Sequence, residues 1–224
     1  MLDTETANTF TNENNQLDTG SALVYDFGYA VIDKKGNIYK TASYINKDVF
    51  LGMKDIMRSA YYANKLLQYW IDIVNNTRKL ASLYEIRKDI ADTIKEYDIV
   101  AVVAHNARFD YNACNSTERY ITKSKYRYFF PYGTKIFDTL KMARQVILSQ
   151  PSYKKWCIEN GFMTANNRPK ATAEILYRYI SGNEDFDEAH TALEDVKIEA
   201  KIFAHCMRQH KKMDKELWSN KERG

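Results

Sequence analysis

Asp3-Thr4-Glu5 places two carboxylates two residues apart near the first residue of the chain. On a strand, positions i and i+2 face the same way, about 7 Å apart, so the pair can share a divalent cation. Alone, such a pair is common, and a solvated acidic terminus explains it more readily. AHNARFD (104–110) follows IVAVVA (99–104), a continuous apolar run that reads as a buried central strand. Ligand sites gather at the C-terminal ends of strands in α/β sheets. Asp110 would then lie about one turn into a helix, where it either complements the helix dipole or takes part in a site. In EAHTALEDV (188–196), His190 stands at or just before the start of the last helix. Asp195 lies beside that helix's apolar stripe, Ala192, Val196, Ala200, Phe203 and Met207, rather than opposite it. A carboxylate at the edge of a core is unfavourable unless paired or metal-bound. The plain alternative for His190 is a partly exposed helix-start histidine.

The elements that must carry these residues are legible from pattern. LVYDFGYAVIDKKGNIYKTASYI (23–45) reads as a hairpin around Lys34-Lys35-Gly36-Asn37, and with MLDTE it gives three antiparallel strands. Residues 7–21 are polar and read as a loop. Residues 48–97 hold no proline and predict two or three helices, one with the apolar stripe Leu66, Leu67, Trp70, Ile73 and Val74. Further helices are predicted over about 109–121, 138–148, 152–160, 170–181 and 188–210, and residues 211–224 read as a charged, frayed tail. The sum is an α/β protein whose mixed sheet is covered by helices.

The chain has 224 residues, which suits one domain, and 33 basic against 29 acidic residues, which permits a polyanionic partner without requiring one. Cys114, Cys157 and Cys206 are widely spaced and odd in number, pointing to reduced thiols and a cytoplasmic protein. No apolar run is long enough to cross a bilayer, which argues against a membrane role. Neither HExxH nor zinc-type cysteine spacing occurs.

Taken in order, LDTET, AHNARFD and HTALEDV make the chain resemble the DnaQ-like 3′–5′ exonucleases of the DEDDh type, over Asp3 to about Cys206. FDTLKMAR (137–144) is similar to the segment between the second and third motifs of bacterial DNA polymerase III proofreading subunits. The insertion at about 48–80 and the block ATAEILYRYISGNEDFDEAHTALEDV resemble phage- or prophage-borne members.

The resemblance implies an RNase H-like fold in a single domain, residues 1–210, in a bacterial or phage-infected cell. It implies two divalent cations, Mg²⁺ or Mn²⁺, about 3.5–4 Å apart, held by Asp3, Glu5, Asp110 and Asp195. Asp3 would bridge both, Glu5 and Asp195 would complete the first, and Asp110 would hold the second. His190 would be the general base. Four carboxylates meeting without cations would repel one another, which independently calls for a metal.

The implied partner is a single-stranded 3′ end, DNA favoured, with a polymerase or another replication protein as a companion and a homodimer left open. Thr6 would meet the terminal nucleotide, but Ala7 and Asn8 stand where the family continues with Thr and Gly. Asn106 would either bind the substrate backbone or cap its helix, and Asp138 reads as an N-cap. RYITKSKYRYFFPYGTK (119–135) reads as an aromatic connection packed on the core or as a platform for a single strand, and burial of Phe129 and Phe130 puts packing first. An exoribonuclease and an inactive nucleic-acid-binding or scaffold protein are the competing readings.

Overall fold

The computed structural model describes residues 1–8, 10–11, 17–18, 21–60 and 62–218. Strands β1 (Leu2–Ala7), β2 (Phe10–Thr11), β3 (Leu17–Asp18), β4 (Leu23–Ile32) and β5 (Ile38–Asn46) open the chain. After them come α1 (Lys47–Phe50), α2 (Lys54–Met57), a 3₁₀ turn at Ala63–Lys65, α3 (Leu66–Val74), β6 (Lys79–Ala81) and α4 (Leu83–Glu96). The rest is β7 (Val102–Ala104), α5 (Arg108–Thr122), β8 (Ile136–Asp138), α6 (Thr139–Val146), α7 (Pro151–Glu159), α8 (Ala173–Ser181) and α9 (Ala192–Arg208).

The main ladder runs β1-β4-β5-β6, antiparallel at the first two junctions and parallel at β5–β6. β7 and β8 form a parallel pair, with β7 beside β1. This is the expected mixed α/β sheet, antiparallel strands first and parallel strands later, flanked by helices. The hairpin turns at Gly36, whose φ of +85° a side chain would resist.

The central strand is not the one the pattern suggested. β4 is buried on both faces over Leu23–Val31, because α5 covers one face and, on the other, α9 covers Asp26, Gly28 and Ala30 while the helices of the insertion cover Leu23 and Tyr25. Of IVAVVA only Val102–Ala104 pair, and Val100 is exposed. α9 reaches the sheet at Gly28, where a Cβ would lie 2.2 Å from the Leu193 backbone nitrogen. Only a residue without a side chain permits that approach.

Other expectations need correction. The polar stretch 7–21 contains a short antiparallel pair, Phe10↔Asp18 and Thr11↔Leu17, and its remaining central residues lie outside the described ones. In the insertion, helical period holds but its phase is displaced. Tyr69 is the buried residue of α3, edge-on to Tyr25 at 5.6 Å and under the Arg78 guanidinium at 5.0 Å. Leu66 and Ile73 of the expected stripe pack on the same cluster, while Leu67, Trp70 and Val74 are exposed, because one large ring held by a cation takes the centre of a small contact face. The tail is not frayed over its described part: the Leu217 N–H donates to Ile136 O at 2.8 Å, Asp138 N–H donates to Lys215 O at 2.9 Å, and Leu217 is buried. Residues 219–224 lie outside the described ones.

Candidate active site

β1 is held by its ladder rather than by preceding chain. Asp3 pairs with Gly28 and Glu5 with Asp26, while the Met1 amino group donates to Ala30 O at 2.8 Å in a buried setting. Burial lowers that amino group to about 5, since no water solvates its charge. The register shifts between Glu5 and Thr6, where Tyr25 is the extra residue of a bulge in β4, and Thr6 is buried there.

Oxygens of Asp3, Glu5 and Asp195 all lie within 4.8 Å of one another. α9 brings Asp195 there because its first turn presses on Gly28, directly across the ladder from Asp3. Asp110, one turn into α5, is outside that trio but borders it: its charge adds to the pressure against ionising both Asp3 and Glu5. The Thr4 hydroxyl donates to Asp110 Oδ1 at 2.8 Å and fixes its rotamer.

Electrostatics set these acids apart. Asp3 is held well above the usual carboxylate range, first by desolvation and then by Glu199, Asp110, Glu5 and Asp195. Glu5 is raised likewise, by desolvation and then Asp26. Desolvation pushes Asp110 up to about 7, against the pull of the Thr4 hydrogen bond. Asp195 rises to about 8, by desolvation and then Glu188. Asp195 Oδ1 and Glu199 Oε2 are buried without a hydrogen-bond partner among the described residues. Buried oxygens of this kind call for a proton or a cation. An all-oxygen donor set suits Mg²⁺ or Mn²⁺ better than zinc.

His190 has φ +50°, an uncommon backbone state for a non-glycine residue. Its Nδ1 lies 3.1 Å from the Tyr62 hydroxyl and 3.6 Å from Glu188 Oε2, and the two rings stack at 4.6 Å. Lys65 Nζ donates to Ala189 O, so the insertion grips the turn that bears the imidazole. Oxygens of Glu188 and Asp195 and a ring nitrogen of His190 also lie within 4.8 Å of one another.

Asn106 is exposed at φ +61°, and its N–H donates to Asp138 Oδ1 at 3.1 Å. It does not cap α5, whose N-cap is Ala107, so that expectation fails. Asp138 is the N-cap of α6, accepting from Leu140 and Lys141.

Sequence reasoning missed several residues. Glu199 lies one turn after Asp195 on α9, and that i+4 spacing was a usable signal. Glu188 stands two residues before His190. Asp26 was hidden in a strand: it accepts from Ala192 N–H at 3.1 Å and takes Arg78 Nη1 at 3.0 Å on both oxygens. Tyr62 carried no signal, being 128 residues from its partner.

Fold and site together define a mixed α/β protein with a buried carboxylate centre suited to divalent cations. No family model matches the chain, and no curated protein matches it. Among solved structures it is similar to exonuclease X in complex with 5′ overhanging duplex DNA, at 14% identity and TM-score 0.40, covering 99% of this chain and 94% of that one. At that distance the functional reading rests on the site's own chemistry.

Proposed function

We propose that the protein is a metal-dependent 3′–5′ exonuclease that hydrolyses phosphodiester bonds at the 3′ end of single-stranded DNA and releases nucleoside 5′-monophosphates. The reading rests on one observation. Carboxylates of Asp3, Glu5 and Asp195, from motifs at opposite ends of the chain, meet within 4.8 Å, with His190 against Asp195.

In this reading Asp3, Glu5, Asp110 and Asp195 hold two divalent cations, Mg²⁺ or Mn²⁺. Bound there, the cations supply Lewis-acid stabilisation of the phosphate and an acidified water. His190 would accept a proton from the attacking water at the ring nitrogen turned away from Tyr62. Thr6, opposite the bulge in β4, contacts the terminal nucleotide, and Asn106, exposed beside Asp138, binds the backbone of the substrate end. Residues 1–210 act as one catalytic domain with an insertion at about 48–80, and a polymerase or other replication protein is the companion that would direct the activity.

End-labelled DNA and RNA, incubated with Mg²⁺, Mn²⁺ or EDTA beside an Asp3→Ala variant, test this. The expected result is stepwise shortening of DNA from the 3′ end with either metal and none with EDTA or with the variant. Cleavage independent of metal or of Asp3 overturns the reading. Shortening of RNA alone replaces the substrate.

A further inference from the structure

Residues 119–135 hold five basic side chains and no acid, a charge of +5 in a chain with 33 basic and 29 acidic residues. The rest of the chain therefore nets −1, although residues 139–158 also hold four basic side chains and no acid. Its aromatic residues divide into two sets. Phe129 and Phe130 are buried, Phe129 stacked on Phe27 of β4 at 5.4 Å and Phe130 stacked on Tyr111 at 6.2 Å. The Phe129 N–H donates to Asn115 Oδ1 at 2.9 Å, and Arg87 Nε donates to Phe129 O at 3.0 Å. Tyr126, Tyr128 and Tyr132 instead stand 91%, 54% and 107% exposed.

Two buried rings thus fasten the loop while three flanking rings face water. Burial explains the first set and leaves the second unexplained, since clustered exposed rings mark interaction surfaces. The guanidinium of Arg119 lies over the Tyr128 ring at 5.0 Å, and the Lys123 ammonium over Tyr120 at 4.2 Å. Glu118 faces Arg127 at 4.0 Å and Arg87 at 3.6 Å.

We infer that the 123–135 loop is a binding surface for single-stranded nucleic acid, in which Tyr126, Tyr128 and Tyr132 stack on bases while Lys123, Lys125 and Arg127 meet phosphates. Rings for base faces and cations for the backbone are what such a strand requires. A duplex hides its base faces, so exposed tyrosines select the open strand. The inference deepens the nuclease reading by naming where the strand beyond the scissile end is held. It rests on that reading only for the strand's direction. The loop returns along α5 to Asp110's neighbour, since Phe130 stacks on Tyr111.

The test uses the full chain in EDTA and a fluorescein-labelled oligothymidylate of about twenty nucleotides, followed by anisotropy. Tyr126→Ala, Tyr128→Ala and Tyr132→Ala combined should weaken binding about tenfold or more. Lys123→Gln with Lys125→Gln should weaken it and flatten the salt dependence by about two contacts. A blunt duplex of equal length should compete far less well than the open strand. In Mn²⁺, hydrolysis of the p-nitrophenyl ester of thymidine 5′-monophosphate, which carries no further nucleotide for the loop to hold, should be unchanged in both variants. Binding retained within twofold by the tyrosine variant, equal competition by duplex, or parallel loss of ester hydrolysis overturns the inference. A wild-type chain that binds the strand but leaves the ester intact overturns the nuclease reading and supports the surface.

Discussion

The Tyr62 ring lies parallel to the His190 imidazole, 12° apart in plane and 4.6 Å between centroids, with its hydroxyl 3.1 Å from Nδ1. Nδ1 also faces Glu188 Oε2 at 3.6 Å, and an ionised carboxylate there favours a proton on Nδ1 and leaves Nε2 with its lone pair. His190→Ala should then lower kcat by about 10²–10⁴-fold with metal affinity unchanged by calorimetry. Tyr62→Phe keeps the stack and should cost about fivefold, the worth of one hydrogen bond. Tyr62→Ala loses the stack as well and should cost about thirtyfold. Equal kcat for Phe and Ala variants would show that ring stacking contributes nothing.

Gly28→Ala should disrupt fold and site together. The added carbon would meet Leu193 N at 2.2 Å and the Ala192 carbonyl carbon at 2.3 Å, and both are backbone atoms that cannot rotate away. About 3 kcal/mol of stability should be lost in urea unfolding. The same displacement draws Asp195 from Asp3, so Mn²⁺ affinity should fall in whatever fraction stays folded. An unaltered affinity would mean that α9 slides without moving its carboxylate.

Arg78→Met removes the counter-ion of a fully buried Asp26 and the partner of Asp72. Such a broken buried pair should cost about 3–5 kcal/mol. Adding Asp26→Asn should recover much of that loss, because the amide is neutral, although its oxygen still accepts from Ala192 N–H. A double variant as unstable as the single one would show that the charge is not the cause. Thermal unfolding of the three chains decides it.

Metal-free protein should lose stability as pH rises. Asp110, Glu188 and Asp195 stand at about 7, 7 and 8 when folded, above their ordinary values near 4. Between those limits the folded chain binds more protons than the unfolded one, so unfolding free energy falls with pH. The stabilisation is complete below about pH 4 and is lost as pH climbs through 7 to 8. Tm in EDTA should therefore drop from pH 5 to pH 8, and Mn²⁺ should raise Tm more at pH 8, where it replaces protons. A metal response independent of pH would separate the acids from the metal.

The hairpin around Gly36, the apolar stripe of α9 and the three acidic motifs were all legible, because each is a repeat or spacing within a few residues. β6 and β8 were not, since three-residue strands carry too little alternation to stand out, and their burial comes from parallel partners far along the chain. The insertion kept its helical period but hid its phase, because Tyr69 is chosen by Tyr25 and Arg78 rather than by its neighbours in sequence. The described tail read as frayed from its charges, yet Leu217 and Trp218 find α5 and β8.

By itself the sequence determined the acids of the three motifs and His190, their order, and the longer strands and helices that bear them, since local periodicity encodes local geometry. Only the tertiary structure decided that Asp3, Glu5 and Asp195 meet, that the Glu199 charge acts on Asp3, and that Tyr62 covers His190. Those contacts depend on how closely α9 can approach β4. That distance is set by a missing Cβ at Gly28 and a backbone 165 residues away, which no local pattern records.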